Sequence, residues 1–150
     1  MRVDFSPGAL FKVPAGDGDF AYGVMLSDFP YMAFYDKKTE FAEDGTPSEA
    51  PMFIIVVGKA AYDRGGWGKP IRQLPMESVP PVPRFFWQSP VNKNECKIVE
   101  PIKHRIDASP ADCVGLESEA VWGASHIDSR IADTYAGRPN RFAESLRVKL

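Results

Sequence analysis

The sequence predicts an α+β fold: a single domain with a twisted antiparallel sheet, partly barrel-like, packed against a long C-terminal helix. Three observations carry that expectation. Of 14 prolines, 12 lie before residue 102 and none falls between Ala111 and Arg138. Proline removes a backbone donor and clashes with the preceding helical turn, so strands and loops belong to the first part and the helix to the proline-free window. Within that window Leu116, Ala120, Ala124, Ile127, Ile131 and Tyr135 recur at steps of four, four, three, four and four, the spacing of one helical face. Upstream, short apolar runs are separated by turn residues, the pattern of a sheet.

Taken in order, Leu10–Val13 reads as a strand, Ala15-Gly16-Asp17-Gly18-Asp19 as a turn and Phe20–Leu26 as the return strand of a hairpin. Tyr31–Tyr35 and Met52–Val57 are two further strands, and the second, apolar throughout, belongs at the centre of the sheet. Residues 69–90 carry six prolines and form an extended, semi-rigid connection. Arg84–Gln88 is a strand, and Ile102, His104 and Ile106 alternate as in another. The helix is expected over 116–136, with Glu117 and Glu119 near its positive end and Gly137 then Pro139 as its stop. A shorter helix follows at 141–147. There is no internal repeat and no shift of composition that divides residues 1–150.

Composition narrows the function. Hydrophobic residues make up 44% and charged residues 25% of 150 residues, globular rather than disordered. The longest apolar run, Met52–Val57, is far short of the roughly 20 residues that span a bilayer. With no secretory leader pattern at Met1–Pro7, the chain is expected to be cytoplasmic, with no membrane partner. A formal charge of −2 gives a nucleic-acid partner no support. No cofactor or metal is expected: two cysteines and two histidines, in neither a Cys-x-x-Cys nor a His-Glu-x-x-His pattern, make no strong ligand set.

Catalytic motifs fail on geometry. Gly16–Asp19 lacks the distal glutamate and flanking helices of a calcium loop. Gly65-Gly66-Trp67-Gly68-Lys69-Pro70 lacks the Ser or Thr and the helix that a phosphate loop needs, and reads as a turn that displays or buries Trp67. Ser125 and His126 are helix neighbours and point apart, so they cannot form a nucleophile–base pair. Cys96 and Cys113 read as small buried hydrophobes, and His104 as an inward or surface strand residue. One feature stands out. Between Asp17 and Glu49 eight acidic residues face two lysines, and much of this charge falls on the 36–49 loop. Tyr31, Tyr35, Asp36, Glu40, Phe41, Glu43 and Asp44, with Trp67, are therefore the candidate residues for docking a basic protein partner, charge steering the encounter and aromatics anchoring it.

The string Gly8-Ala9-Leu10-Phe11-Lys12-Val13-Pro14 followed by Gly18-Asp19-Phe20-Ala21-Tyr22-Gly23-Val24-Met25-Leu26 resembles the opening of the immunity protein 26 family. Gly66-Trp67-Gly68-Lys69-Pro70, Gly115-Leu116-Glu117, Asp128-Ser129-Arg130-Ile131 and Tyr135-Ala136-Gly137 are similar to later parts of it, in the same order. The resemblance implies an antidote of a bacterial polymorphic toxin system, not an enzyme, that binds and neutralises a cognate toxin and is encoded beside it. It supplies no catalytic motif, and Gly8, Tyr22, Gly23, Trp67, Glu117 and Arg130 are expected as fold determinants. Two rivals remain open: a small hydrolase using Cys113 or His104, and a barrel-like module binding peptide or nucleic acid through Trp67, Phe86 and Trp87.

Overall fold

A computed structural model describes residues 1–100 and 104–150 and has the α+β architecture. The larger sheet grows from two hairpins: β1 (Ala9–Ala15), β2 (Asp19–Met25), β3 (Tyr31–Tyr35) and β4 (Phe53–Val57) pair antiparallel in chain order. The β1–β2 turn works because Gly16, Asp17 and Gly18 all adopt positive φ (34°, 54° and 76°). Glycine pays no Cβ penalty there, and aspartate tolerates the conformation better than most residues. Two short strands finish the sheet. β5 (Arg72–Gln73) lies against β1, and β10 (Val121–Trp122) runs parallel to β4. A second sheet consists of β6 (Phe85–Gln88), β7 (Cys96–Glu100), β8 (His104–Ala108) and β9 (Glu117–Ser118), in spatial order β8-β7-β6-β9.

Neither sheet closes on itself, so the barrel-like expectation is corrected to two stacked open sheets. Each contains one parallel pairing, β10 with β4 and β9 with β6, supplied by chain that returns late in the sequence.

Layering follows from the apolar pattern. Phe11, Val13, Met25, Met32, Phe34, Ile55 and Val57 form one face of the larger sheet and pack against the helix α1 (Ala124–Ala136) and Trp67. Leu10, Val24, Leu26, Tyr31, Ala33, Tyr35 and Val56 form the other face and meet Phe85 and Val99 of the smaller sheet. The Tyr31 and Phe85 rings lie 5.1 Å apart. The larger sheet is thus covered on both faces, which is why all five residues of β3 are buried and why its sequence does not alternate. The outer face of the smaller sheet holds a third cluster, with Phe86, Cys96 and Ile98 against Cys113 and Leu116.

The helix is shorter than its periodicity predicts. It begins at Ala124, after Gly123 in an extended conformation, and Glu117–Ser118 and Val121–Trp122 are strands. Pairing with β6 and β4 overrides the helical spacing of Leu116 and Ala120, and Gly115, at φ 86°, breaks the chain ahead of β9. Ile127 and Ile131 are fully buried as expected, whereas Ala124 is exposed. The stop is as read: Gly137 has φ 70°, its N–H donates to the Thr134 carbonyl (3.2 Å) and that of Arg138 to Asp133 (3.0 Å), a Schellman motif. Glu117 and Glu119 lie outside the helix. Glu117 instead takes Arg130 from it in a bidentate pair (2.5 and 3.2 Å), and Glu119 takes Arg105 (2.8 and 3.0 Å). α2 (Arg141–Ser145) follows, its Asn140 side chain capping the Ala143 N–H (2.9 Å). The expected Ile102–Ile106 strand starts at His104, Ile102 being outside the described residues, and His104 is exposed.

Candidate docking loop

The acidic segment leaves β3 at Tyr35 and returns at Phe53, and it folds on itself between those points. A turn closes first: the Asp36 carbonyl accepts the Thr39 N–H (2.9 Å) and the Asp36 carboxylate accepts the Lys38 N–H (2.8 Å). Residues 40–48 then make a miniature hairpin. The Ser48 hydroxyl accepts the Glu40 N–H (2.8 Å), the Glu40 carbonyl accepts the Ser48 N–H (2.8 Å), and the Ala42 N–H donates to the Thr46 carbonyl (2.9 Å). Gly45 at its tip has φ 91°, and a Cβ there would lie 2.6 Å from the Ser78 hydroxyl oxygen. The loop therefore rests on the 3-10 turn Met76–Ser78.

Two distant residues fix this hairpin. The Arg72 guanidinium, from β5, donates to the carbonyls of Phe41 (3.0 Å), Ala42 (2.6 Å) and Glu43 (2.7 Å). At the base the Tyr135 hydroxyl accepts the Lys37 N–H (2.9 Å) and donates to the Phe20 carbonyl (2.8 Å). Burial pushes that phenol up to about 12, so it stays a neutral donor across working pH. Lys37 is committed nearby: its ammonium meets Asp19 at 2.7 Å and lies 4.9 Å from the Tyr135 ring centre. Lys37, with the Phe20 N–H, holds the Asp19 carboxyl below the usual carboxylate range. Replacing Arg72 with alanine is expected to cost about 1–3 kcal/mol, because three carbonyls lose a charged donor. Amide exchange should accelerate selectively over residues 40–48, and exchange mass spectrometry with urea titration reads both effects.

With the backbone held inward, the carboxylates face out. Glu40, Glu43, Asp44 and Glu49 are exposed, and Lys38 is the exposed cation among them. The Thr46 N–H donates to Asp44 (3.0 Å) and keeps its carboxyl below the usual range, so this charge persists at mildly acidic pH. The turn beneath adds exposed Glu77 and Met76. Sequence reading missed Arg72 and this turn, because their role arises from contacts some 30 residues apart and no local pattern marks them.

The other candidates are less exposed than these carboxylates. Tyr31 and Tyr35 are buried between the sheets, and burial pushes the Tyr35 phenol up to about 12. Phe41 is half-buried, edge-on to Tyr22 (5.5 Å) and Tyr35 (5.3 Å), and forms the floor of the loop. Asp36 is half-buried at the turn. Trp67 is only 9% exposed and packs with Phe11, Phe34 and Tyr62, so the glycine-rich turn buries it. Phe86 is buried as well, which takes two of the three aromatics considered for base or peptide stacking out of reach of a ligand.

Concave sites offer less. A cleft of about 630 Å³ opens between α1, α2 and the 114–118 segment. Its three arginines are already paired: Arg130 with Glu117, Arg138 with Asp133 (2.6 Å) and Arg147 with Glu144 (3.3 Å). Cys113 at its edge is fully buried, and desolvation, with Cys96 beside it, pushes the thiol up, away from a reactive thiolate. His126 is exposed, its ring centre 4.0 Å from that of Phe142. Among the described residues no group of three or more His, Cys, Asp or Glu side chains is arranged to hold a metal ion, and no helix is long and apolar enough to cross a membrane. Compared with family models, with curated proteins and with solved structures, the chain matches none.

Proposed function

We propose that this protein is an immunity protein, which neutralises a cognate bacterial toxin domain by stoichiometric association and docks it on the 36–49 loop. The observation that carries the reading is the pre-organised loop: Arg72 fixes its backbone from beneath while Glu40, Glu43, Asp44 and Glu49 point outward. A loop ordered before binding loses less conformational freedom on association, so more of the interaction energy appears as affinity. Clustered carboxylates favour a partner with a basic surface, of the kind that toxins acting on nucleic acid present. The resemblance in Gly8–Pro14, Gly18–Leu26 and Gly66–Pro70 supports the same role.

In this reading the complex forms in the cytoplasm of the producing cell, needs no cofactor, and serves competition between bacteria. The test is co-expression with the product of the adjacent gene, read as growth rescue and as co-purification in a fixed ratio. Growth arrest with no complex recovered, while the protein remains folded, would refute the assignment.

A further inference from the structure

We propose that β8 is the seam of a two-fold dimer, pairing antiparallel with its own copy around Ile106, because its free edge is self-complementary in charge only in that register. β8 ends the smaller sheet. Its inner edge pairs with β7 from Glu100↔His104 to Cys96↔Ala108, and among the described residues nothing pairs with its outer edge. A free edge presents a row of unpaired N–H and C=O groups, and proteins usually blunt it with a short strand, charged side chains, proline, a bulge or a cover. β8 has no proline, and four of its five residues are exposed.

Its side chains specify what fits. Arg105 and Asp107 lie on one face of the strand, and Ile106, 45% exposed, lies on the other. A two-fold axis perpendicular to the sheet keeps each residue on its own face, so the axis must pass through a residue position. Centred on Arg105 it sets two guanidinium groups opposite each other, and centred on Asp107 it sets two carboxylates opposite each other. Like charges directly opposite destabilise a strand pair. Centred on Ile106 it sets each Arg105 opposite an Asp107 of the second copy, brings the two Ile106 side chains together and matches all five residues.

Intrachain partners leave room for this. Asp107 already meets Lys97, yet its side chain is 87% exposed, and a carboxylate has about four acceptor sites. Arg105 is half-exposed; its guanidinium reaches back across the sheet to Glu119 through Nη1 and Nη2, and on pairing it exchanges that carboxylate for Asp107 of the second copy at the seam. None of the docking-loop residues lies in the seam, so this proposal and the proposed function stand or fall separately.

Sedimentation equilibrium of the full chain over a concentration series tests it. The wild type should move from its 16.6 kDa monomer mass toward twice that value. Arg105→Asp alone and Asp107→Arg alone should each weaken association by about tenfold or more, since each sets like charges across the seam twice. The double variant Arg105→Asp/Asp107→Arg should restore it. That rescue separates the seam from a loss of structure: both singles and the double disturb the pairs with Glu119 or Lys97, and a purely structural defect would be worst in the double. Circular dichroism checks that all three fold. A wild type that stays monomeric to about 1 mM, a dimer indifferent to the single variants, or a double variant no better than the singles would each overturn the proposal.

Discussion

Trp67→Ala is expected to lower the free energy of unfolding by about 3–5 kcal/mol. The indole sits among Phe11, Phe34 and Tyr62, with ring centres 5.9–6.1 Å away. Its truncation loses both the transfer of a large aromatic out of water and the contacts of the side chains left around the void. Collapse into that void is hindered by the turn that delivers it. Gly65 and Gly68 have φ of 81° and 72°, and a Cβ on Gly66 would lie 2.9 Å from the Ala61 carbonyl oxygen. The turn therefore has little freedom to follow the missing ring. Against a total stability of about 5–15 kcal/mol such a loss is large, and urea titration at neutral pH measures it. A change under about 1 kcal/mol would mean that the indole is not part of the packed core. If the 36–49 loop docks a toxin as proposed, the variant should lose binding only in proportion to its unfolded fraction, because Trp67 is buried in the core.

That prediction also marks the limit of what the sequence discloses. The hairpin β1–β2, the strands β3, β4 and β6 and the stop at Gly137 are local events, set by turn residues and by runs of one hydrophobic period, and each is legible within a residue or two. Which layer covers a strand is not local. Tyr31 and Tyr35 read equally as anchors beside an acidic loop or as core, and the second sheet, built from residues 85–118, decides it by covering them. The overlong helix has the same origin. Leu116 and Ala120 keep a helical spacing, but β6 and β4 offer the 117–122 segment backbone partners that a solitary helix end lacks. The residues of the family resemblance have structural work in this fold. Gly8 has φ 88°, and a Cβ there would come within 2.3 Å of the Leu74 carbonyl oxygen. Gly23 has Val13, Phe34 and Met32 within 3.1–3.3 Å of where its Cβ would be. Glu117 and Arg130 join β9 to α1, with Arg130 lying 4.1 Å from the Phe53 ring centre. Of the docking loop, the charge was legible; its rigidity was not, since it depends on Arg72 and Tyr135 arriving from far along the chain.

The triple variant Glu40→Lys, Glu43→Lys, Asp44→Asn is expected to slow association with the toxin domain by about 10-fold or more at low salt, within the 10–10³ range that electrostatic steering spans. Asparagine at 44 removes the charge but keeps an acceptor for the Thr46 N–H, so the hairpin tip survives. Arg72 binds carbonyls rather than these carboxylates, so its clamp is retained as well. Stability should therefore change by no more than about 1 kcal/mol, the scale of exposed charges. Salt should reproduce the effect in the wild type, because the Debye length falls from about 10 Å at 0.1 M to about 3 Å at 1 M. Dissociation should change less, since it is governed by desolvated anchors, for which Phe41 and the exposed Met76 are placed and Tyr35 is not. Stopped-flow association of wild type and variant across a salt series separates these terms. If steering operates, the two rates converge as salt rises, because the variant has already lost what screening removes. Rates that are equal at every salt concentration would mean that these three carboxylates solvate the loop and do not steer the toxin to it.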